Sequence, residues 1–419
     1  MYRASTTLTR KNMINVIFLG KFFPQQMLRT VKQDSKGKIG MSNHNFEMSI
    51  INGLCQQNGV NFKCITCPAV YSYPYNNNQF YSNSESYDYN NTHIDSAGFC
   101  NLVGLKEIWS AHATAKLLVD VAESFKEETV HLIINTPNAR LYDAVRIAER
   151  RTKKQFTKTI IIPDIPSLVQ SMDKENPIKT ILVNRSNRKV MEETSLADGL
   201  VLLTEAMMDF VSRPVKHIVM EGIVDVQTMD MLQVESVKDK QVILYTGTLR
   251  RVFGVMNLVE AFHNVPDKDV ELWICGSGDS CRYIEDFALT DTRIKYFGLV
   301  DSKTALEMQH KATILVNPRT SEGEFTKYSF PSKTIEYLLA GKSVIINRLP
   351  GIPEEYFEYV YTPKDESIEA FTKCIIDVLH EDPHKRESRA LNGKKFVVSQ
   401  KNSKIQMKRV VELIKSYKV

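Results

Sequence analysis

The 419-residue sequence contains no run of about 18 uncharged apolar residues, which is the length that a membrane-spanning helix requires. The first twenty residues begin with basic side chains, but their apolar run VIFLG is too short for the hydrophobic region of a signal peptide. We therefore interpret VIFLG as a first buried strand. The expectation that follows is a soluble, cytoplasmic protein.

Cysteines are few, and they are dispersed. An odd number, seven, scattered through a long chain favours reduced thiols over a disulfide framework. Cys64 and Cys67 form a C-x-x-C pair, which leaves a zinc or redox site open as an alternative. NFKCITCPAV resembles a strand more closely, and a strand turns residues three apart to opposite faces.

A complete dinucleotide-binding fingerprint is also missing. The nearest match, GSGDSC from Gly276 to Cys281, lacks the third small residue, and no equivalent follows the first strand. This argues against a dinucleotide-dependent oxidoreductase. One D-x-D is present, Asp267-Lys268-Asp269, but it directly precedes an apolar run that we interpret as a strand. A surface turn is therefore the better interpretation than a metal site.

Positive charge is concentrated in the first half of the chain. The first fifty residues carry eight Lys and Arg against two acidic residues, and a second basic cluster spans residues 150–158. Residues 201–419 carry 30 basic against 31 acidic residues. The first half is therefore expected to meet an anionic partner, such as acidic lipid headgroups or a phosphorylated acceptor. A basic surface that is merely solvated remains the alternative.

Short apolar runs alternate with segments of helical period along the whole chain. The runs interpreted as strands are VIFLG, NFKCITCPAV, VHLIIN, TIIIPDI, DGLVLLT, QVILYTG, VELWICG, IKYFG, TILVNP and SVIIN. This rhythm predicts an α/β protein with two Rossmann-like, doubly wound parallel-sheet domains that face a cleft. The predicted domains are 1–220 and 221–395, with a C-terminal helix in 396–419 that packs back toward the first domain. Residues 71–100, rich in Tyr, Asn and Ser, are predicted to form a long polar loop.

In the second half, loops after the predicted strands carry charge and glycine. In open parallel sheets ligands bind outside the carboxyl ends of the strands, so these loops form a candidate anion site. Arginines bind phosphate oxygens bidentately, and glycines let backbone N–H groups approach an anion. Carboxylates nearby would repel phosphate and suit hydroxyl groups. The candidate residues are Arg250, Arg251 and Arg319, Gly247, Gly276, Gly278 and Gly298, and Glu322, Glu324 and Glu336.

The second half resembles the nucleotide-sugar domain of GT-B fold glycosyltransferases, specifically glycosyltransferase family 4 and its capsule and exopolysaccharide members. The motifs that carry the resemblance come in the family's order and cover about half the chain. They are ADGLVLLTEAM, MEGIVD, ILYTGTLRRVFGVMNLVEAF, LWICGSGD, YFGLV and NPRTSEGEFTKYSFPSKTIEYLLAGKSVI. In the first half, IIPDIP at 161–166 is similar to a turn of the same relatives.

The resemblance implies roles for individual residues. Glu336 matches the second glutamate of the family's E-x7-E motif, which accepts hydrogen bonds from the ribose hydroxyls of the donor. The first glutamate of that motif would fall at Tyr328, so Glu322 or Glu324 would have to supply the carboxylate that contacts the sugar. The family's Arg and Lys after the first strand of this domain correspond to Thr248 and Phe253. Arg250, Arg251, Lys333 and the backbone around Ser332 are therefore expected to bind the diphosphate instead.

In the first half, the segment KGKIGMSNHN (36–45) is interpreted as a loop between strand one and a helix. It resembles in position the family's glycine-containing loop near the diphosphate and acceptor. His44 is a candidate base or sugar contact there, and Asp164 in PDIP is a candidate acceptor contact. The alternatives are that His44 is a loop histidine without a functional role and that Asp164 only forms a turn.

The resemblance implies an enzyme that transfers a sugar from a nucleoside-diphosphate sugar to a hydroxyl of a saccharide or polyprenyl-diphosphate-linked acceptor. The resemblance implies retention of anomeric configuration without a bound metal or cofactor, in cell-surface polysaccharide biosynthesis. We also expect peripheral contact with an anionic membrane and no nucleic-acid partner. A non-catalytic nucleotide-sugar-binding paralogue and a nucleotide-sugar 2-epimerase of the same fold remain the alternatives.

Overall fold

The computed structural model describes residues 13–35, 41–81, 86–90, 92–165, 177–226 and 240–417. Backbone contacts divide the chain into two compact units. Unit 1 comprises Met1–Ile223 and Ser403–Val419, and unit 2 comprises Val224–Asn402. Within the described residues, no helix has the length and apolar character needed to cross a membrane.

Unit 1 is built on an eight-stranded sheet with the order β10-β9-β8-β7-β1-β2-β5-β4. All neighbouring strands are parallel except β4, which pairs antiparallel with β5 at one edge. The strands are β1 (Ile14–Gly20), β2 (Val60–Thr66), β4 (Ser86–Tyr89), β5 (Thr92–Ser96), β7 (Thr129–Asn135), β8 (Gln155–Ile162), β9 (Gly199–Leu202) and β10 (Lys216–Val219). A separate antiparallel pair joins β3 (Phe80–Tyr81) and β6 (Phe99–Cys100).

Helices cover both faces of this sheet. They are α1 (Gln25–Asp34), α2 (Met41–Cys55), α3 (Leu105–Glu123), α4 (Ala139–Glu149), α5 (Pro177–Thr194) and α12 (Ser403–Lys415). The last of these comes from the end of the chain, and its Met407 and Val410 join Phe18 and Ile50 in one buried cluster. Residue 396 lies inside the preceding helix, α11 (Pro383–Gln400), which belongs to unit 2.

Two segments of unit 1 correct the sequence interpretation. The polar stretch after VIFLG contains α1, and residues 71–100 contain four short strands rather than one long loop. Strands β4 and β5 form a hairpin whose turn includes Asn90 at φ 46°. Tyr, Thr and Ile favour strands even among polar neighbours, and Asn tolerates a positive φ. The high polar content of residues 71–100 is why neither the strand-forming residues nor the turn at Asn90 was recognised in the sequence.

Unit 2 contains a five-stranded, fully parallel sheet with the order β13-β12-β11-β14-β15. Its strands are β11 (Gln241–Thr246), β12 (Val270–Cys275), β13 (Ile294–Tyr296), β14 (Ile314–Asn317) and β15 (Ser343–Ile346). Its helices are α6 (Val255–His263), α7 (Cys281–Thr290), α8 (Ser302–Lys311), α9 (Lys333–Leu339), α10 (Ile368–His380) and α11. The predicted α/β class with parallel sheets is confirmed.

Each sheet reverses its winding direction at one place. In unit 2 the chain runs outward from β11 to β13, then returns to build β14 and β15 on the other side of β11. In unit 1 the same reversal separates β1 from β7. Loops diverge at such a switch point and leave a crevice at the carboxyl ends of the strands. Functional side chains are therefore expected there in each unit.

Candidate functional site

At the switch point of unit 2, the loops after β11 and β14 come into direct contact. Gly254 has φ 71°, and a side-chain carbon there would lie 2.2 Å from the carbonyl oxygen of Pro318. Only glycine allows both this backbone conformation and this close approach. The contact brings the segment around Arg250 and Arg251 next to the segment around Arg319.

The glycines after β11 and β12 lie where two loops pack closely. Backbone N–H groups of Gly247, Leu249 and Gly276 donate to carbonyl oxygens of Cys275, Ser277 and Gly298 at 2.8–3.0 Å. Gly278 donates its N–H to Cys281 Sγ. A side-chain carbon at Gly276, where φ is 144°, would lie 1.8 Å from the carbonyl oxygen of Gly247. These glycines therefore permit two loops to pack closely, and their N–H groups already have protein acceptors.

Glu336 lies one turn into α9, and its carboxylate is held from two sides. Lys333 Nζ lies 2.7 Å from Oε1 and 2.8 Å from Oε2. Gln309 Nε2, on α8, donates to Oε1 at 2.6 Å. The side chains of Lys333 and Glu336 are each 34% exposed, whereas Gln309 is fully buried. The carboxylate is thus accessible to a ligand but oriented by a buried amide.

The carboxylate also determines which way the amide of Gln309 points. Its Nε2 donates to Glu336 and to Thr246 Oγ1 at 3.2 Å, because a carboxylate accepts hydrogen bonds and cannot donate them. The amide oxygen is left buried without a hydrogen-bond partner among the described residues. A buried polar atom without a partner is costly, so this arrangement is one that packing alone would not select.

Tyr337 attaches α9 to the end of the central strand β11. Its hydroxyl accepts from the backbone N–H of Thr246 at 2.9 Å and donates to the carbonyl oxygen of Thr246 at 3.2 Å. The side chain is completely buried, and burial raises the pKa of Tyr337 far above its ordinary value. Glu336, the residue before it, is thereby positioned at the carboxyl end of β11.

Arg319 lies between two aromatic rings. Its guanidinium carbon is 5.5 Å from the ring centre of Phe253 and 4.7 Å from that of Phe325. One terminal nitrogen donates to Ser329 Oγ at 2.8 Å. The phenylalanine at 253, where the family has a basic residue, therefore contributes to orienting Arg319. This cation–π contact was not anticipated from the sequence.

Most of the remaining predicted residues of unit 2 lie on the surface. Thr248, Arg251, Glu322, Glu324 and Ser332 are exposed, and Gly298, Arg250 and Tyr328 are half-buried. Lys327 Nζ lies 5.2 Å from the ring centre of Tyr328. Glu324 begins the 3-10 helix Glu324–Tyr328. Their assignment to the sugar or to the diphosphate remains a prediction.

In unit 1, His44 lies in helix α2 and not in a loop, which corrects the sequence interpretation. Its Nδ1 accepts a hydrogen bond from the backbone N–H of Phe23 at 3.3 Å. Burial, with a smaller contribution from Lys32, lowers the pKa of His44. The neighbouring Gly37 and Gly40 lie outside the described residues. Asp164 is exposed, in the turn that follows β8.

Sequence reasoning missed Glu47, which lies at the switch point of unit 1. Its carboxylate accepts from Asn135 Nδ2 at 2.7 Å, from the backbone N–H of Lys21 at 2.9 Å and from Asn43 Nδ2 at 3.2 Å. Complete burial raises the pKa of Glu47 to about 7, although these hydrogen bonds oppose the shift. The signal available in the sequence was an acidic residue on the buried face of an otherwise apolar helix.

The described residues contain no group of three or more His, Cys, Asp or Glu side chains that could hold a metal ion. Cys64 and Cys67 are both buried, and burial raises the pKa of the Cys64 thiol well above its ordinary value. A protonated, inaccessible thiol is a poor metal ligand and a poor nucleophile. Asp267 of the D-x-D accepts from His380 Nε2 at 2.8 Å and directly precedes β12.

One segment of unit 2 matches a known protein family. Residues 240–381 match the family model described as Glycosyl transferases group 1. No curated protein matches the sequence significantly.

Solved structures with the GT-B fold of glycosyltransferases resemble the chain along almost its whole length. It is similar to the sucrose-phosphate synthase from Thermosynechococcus elongatus, with 14% identity, a TM-score of 0.57 and coverage of 96% of this chain and 99% of that one. It is also similar to HepE from Anabaena in complex with UDP, with 13% identity, a TM-score of 0.61 and coverage of 96% of this chain and 100% of that one. A third match is the apo form of the lipopolysaccharide outer core galactosyltransferase WaaB, with 12% identity, a TM-score of 0.56 and coverage of 96% of this chain and 99% of that one. At these identities the likeness establishes the fold.

Proposed function

We propose that the protein is a glycosyltransferase that moves a sugar from a nucleoside-diphosphate sugar to a hydroxyl of a saccharide or lipid-linked acceptor. The observation that carries the proposal is the position of Glu336. This carboxylate lies in the segment that matches the group 1 model, at the switch point of a parallel sheet, and a buried glutamine orients it. A fixed, half-exposed acceptor is suited to the hydroxyl groups of a ribose.

The pair of Lys333 and Glu336 suggests how a donor would enter. Without a ligand, the ammonium group bonds to both carboxylate oxygens. In the proposed complex, ribose hydroxyls replace the ammonium on Glu336, and Lys333 turns toward the diphosphate. Gln309 keeps its bond to Oε1 throughout, so the carboxylate retains its direction. A half-exposed ion pair is weak enough to be exchanged in this way.

During transfer, the bond between the anomeric carbon and the diphosphate oxygen breaks, and a bond from the acceptor oxygen to that carbon forms. The proton of the acceptor hydroxyl passes to the departing phosphate. Negative charge grows on the diphosphate in the transition state, and Arg250, Arg251 and Lys333 are the cations we assign to it. Removing one such group costs about 3 kcal/mol of transition-state stabilisation. We propose a retaining reaction without a bound metal, so turnover should persist in the presence of EDTA.

The named activities of similar structures support a sugar-nucleotide donor, because they include a complex with UDP and a galactosyltransferase. A role in cell-surface polysaccharide assembly, as a cytoplasmic enzyme in peripheral contact with an anionic membrane, remains part of the proposal. Lys154 and Lys158, from the second basic cluster, form internal contacts with Phe125, Glu127 and Glu149. They flank the start of β8, at the sheet edge opposite the switch point. The membrane contact would therefore depend on other basic residues, among them the exposed Arg150, Arg151 and Lys153 of the same cluster.

Donor hydrolysis tests the proposed function. Wild-type protein incubated with UDP-, GDP- and CDP-sugars should slowly release free sugar and nucleoside diphosphate from one of them. Glu336→Gln should reduce that release at least tenfold. Glu307→Gln, a matched change on the surface of α8, should leave it unchanged.

Two results would favour other functions. Tight nucleotide-sugar binding without any release would point to a non-catalytic paralogue, which the tyrosine at position 328 makes the second candidate. Conversion of the donor to its 2-epimer would point to an epimerase of the same fold. Equal release by the Glu336 variant and the wild type would remove the argument from Glu336.

A further inference from the structure

Three cationic side chains lie near the switch point of unit 1, where Arg140 acts electrostatically on both Lys21 and Lys106. Neither the proposed nucleotide-sugar site nor its chemistry uses them. Lys21 directly follows β1, Arg140 lies in the first turn of α4 after β7, and Lys106 lies in the first turn of α3. Helices α3 and α4 pack against each other. We call Lys21, Lys106 and Arg140 the cationic cluster.

Two of the three members are buried to a degree that is unusual for these residue types, and Lys21 is partly exposed. Arg140 is 8% exposed and Lys106 is 6% exposed. The Nε of Arg140 has no hydrogen-bond partner among the described residues. An arginine and a lysine are almost never fully buried unless they are paired, so an unused guanidinium N–H at this depth requires an explanation.

Protein groups near the cluster compensate its charge only in part. The Glu107 carboxylate pairs with Arg140 at 3.8 Å from Nε, beyond hydrogen-bond distance, and its side chain is 67% exposed. Lys106 Nζ donates to the carbonyl oxygen of Val70 and lies 5.7 Å from the ring centre of Phe99, and neither partner carries a charge. Glu47 attracts Lys21, but burial raises the pKa of Glu47 to about 7, so its own charge is incomplete near neutral pH.

The charges also repel one another. Burial is the main cause that lowers the pKa values of Lys21 and Lys106, to about 8 for Lys106. The positive charge of Arg140 lowers both further, whereas Glu47 opposes the shift at Lys21 and Glu107 opposes it at both lysines. Lys106 and Arg140 occupy first turns of helices, where the helix dipole disfavours cations. Glu47 and Glu107 offset only part of these costs. A bound anion would offset the rest.

We propose that the cationic cluster binds an anionic group, a phosphate or a carboxylate, carried by the acceptor substrate. That the anion is carried by an acceptor substrate rests on the proposed glycosyl transfer. The anion site itself is inferred from the geometry of unit 1. The planar fork of Arg140 presents parallel N–H groups to such an anion, and the lysine ammonium groups supply charge.

The anion has two sources to be distinguished, a soluble saccharide and a lipid-linked one. Leu105, Ile108 and Trp109, on the same first turns of α3 as Lys106, are 48–63% exposed. Apolar side chains beside a buried cation would add affinity for a lipid chain and would add none for a soluble sugar phosphate. The test therefore includes both kinds of probe.

Isothermal titration calorimetry on the full chain, without a sugar nucleotide, tests the proposal. The probes are inorganic phosphate, glucose 6-phosphate, glucuronate and a polyprenyl phosphate in detergent micelles. At least one should bind saturably, and Arg140→Gln should weaken it about ten- to hundredfold. Arg146→Gln, two turns further along α4 and paired with Asp143 and Glu193, should bind like the wild type. Tighter binding of the polyprenyl probe, lost in Trp109→Ser, would identify a lipid-linked source.

A stability measurement keeps the test decisive if binding is lost through unfolding. Removing a buried charge that lacks a partner should leave the melting temperature of Arg140→Met unchanged or raised, whereas a structural arginine would make it fall. Lys106→Gln repeats both measurements at a second position. The proposal fails if no probe binds or if Arg140→Gln binds the probes as the wild type does. It also fails if Arg140→Met and Lys106→Gln both melt well below the wild type. Because no donor is present, these outcomes are independent of donor hydrolysis.

Discussion

Each unit places one glutamate at its switch point, and the two are held in opposite ways. Glu336 in unit 2 is half-exposed, and a lysine ammonium and a buried amide bind it. Glu47 in unit 1 is completely buried, and its hydrogen-bond donors are two asparagine side chains and a backbone N–H. The first carboxylate is a charged group that is ready to exchange one partner for a ligand. The second is a group whose charge depends on pH near neutrality.

The largest expected effect comes from Glu47. Its pKa is about 7 in the folded protein and 4.5 in the unfolded chain, so the folded state binds more protons between these values. The contribution of Glu47 to stability is therefore fully present below pH 4.5 and is lost, by about 3 kcal/mol, as pH rises through 7. Glu47→Gln should abolish this loss.

Urea unfolding at pH 5, 6, 7 and 8 measures the effect, and the difference between variant and wild type isolates Glu47 from other titrating groups such as His44. The exposed Glu128→Gln serves as control and should follow the wild type. Parallel pH curves for Glu47→Gln and the wild type would mean that the two switch points do not differ as described.

The next effect concerns Glu336 and the ribose. The nucleoside diphosphate that binds best should lose at least tenfold in affinity when its 2′- and 3′-hydroxyls are removed, since hydrogen bonds to a charged group are worth about 1.5–3 kcal/mol. In Glu336→Gln the same removal should cost about twofold. Calorimetric titration of both nucleotides into both proteins gives this double comparison. An equal penalty in the two proteins would place the ribose elsewhere.

Gln309 should have a smaller influence, because it acts through Glu336. Gln309→Leu keeps the approximate volume but removes the amide that orients the carboxylate. We expect nucleotide affinity to fall about fivefold, corresponding to one hydrogen bond of about 1 kcal/mol. In a protein that already carries Glu336→Gln, the same substitution should change affinity little. Additive losses in the double variant would contradict a positioning role.

The smallest effect is expected for the stability of the ion pair itself. Lys333→Met should change the free energy of unfolding by less than about 1 kcal/mol, because a half-exposed pair contributes little. Urea unfolding at neutral pH measures this change. A loss of several kcal/mol would show that the pair holds α9 in place, and the proposed exchange of Lys333 for ribose hydroxyls would then be too costly.

Apolar runs predicted the central strands of both sheets, and the polar helix mouth at Lys333 and Glu336 was recognised because both residues lie in one short motif. Residues that depend on distant contacts were not recognised. Glu47 and Asn135 are 88 positions apart, and nothing in either local segment indicates the other. Gly276 and Gly278 look like an anion-binding loop in sequence. Only the fold shows that the N–H of Gly276 already donates to the carbonyl oxygen of Gly298, and that of Gly278 to Cys281 Sγ.

Helix α12 has a consequence for the order in which the protein can be made. Unit 1 is discontinuous, and Gly53 in α2 approaches α12 so closely that a side-chain carbon there would lie 2.2 Å from the carbonyl oxygen of Ser403. Unit 2, Val224–Asn402, is contiguous and can acquire all its contacts as soon as it leaves the ribosome. Unit 1 emerges first but has to wait, with part of its apolar core uncovered, until α12 has been translated. The part of unit 1 that precedes Val224 is thus synthesised before unit 2 but completes its fold after it, and chaperone demand should fall on that part.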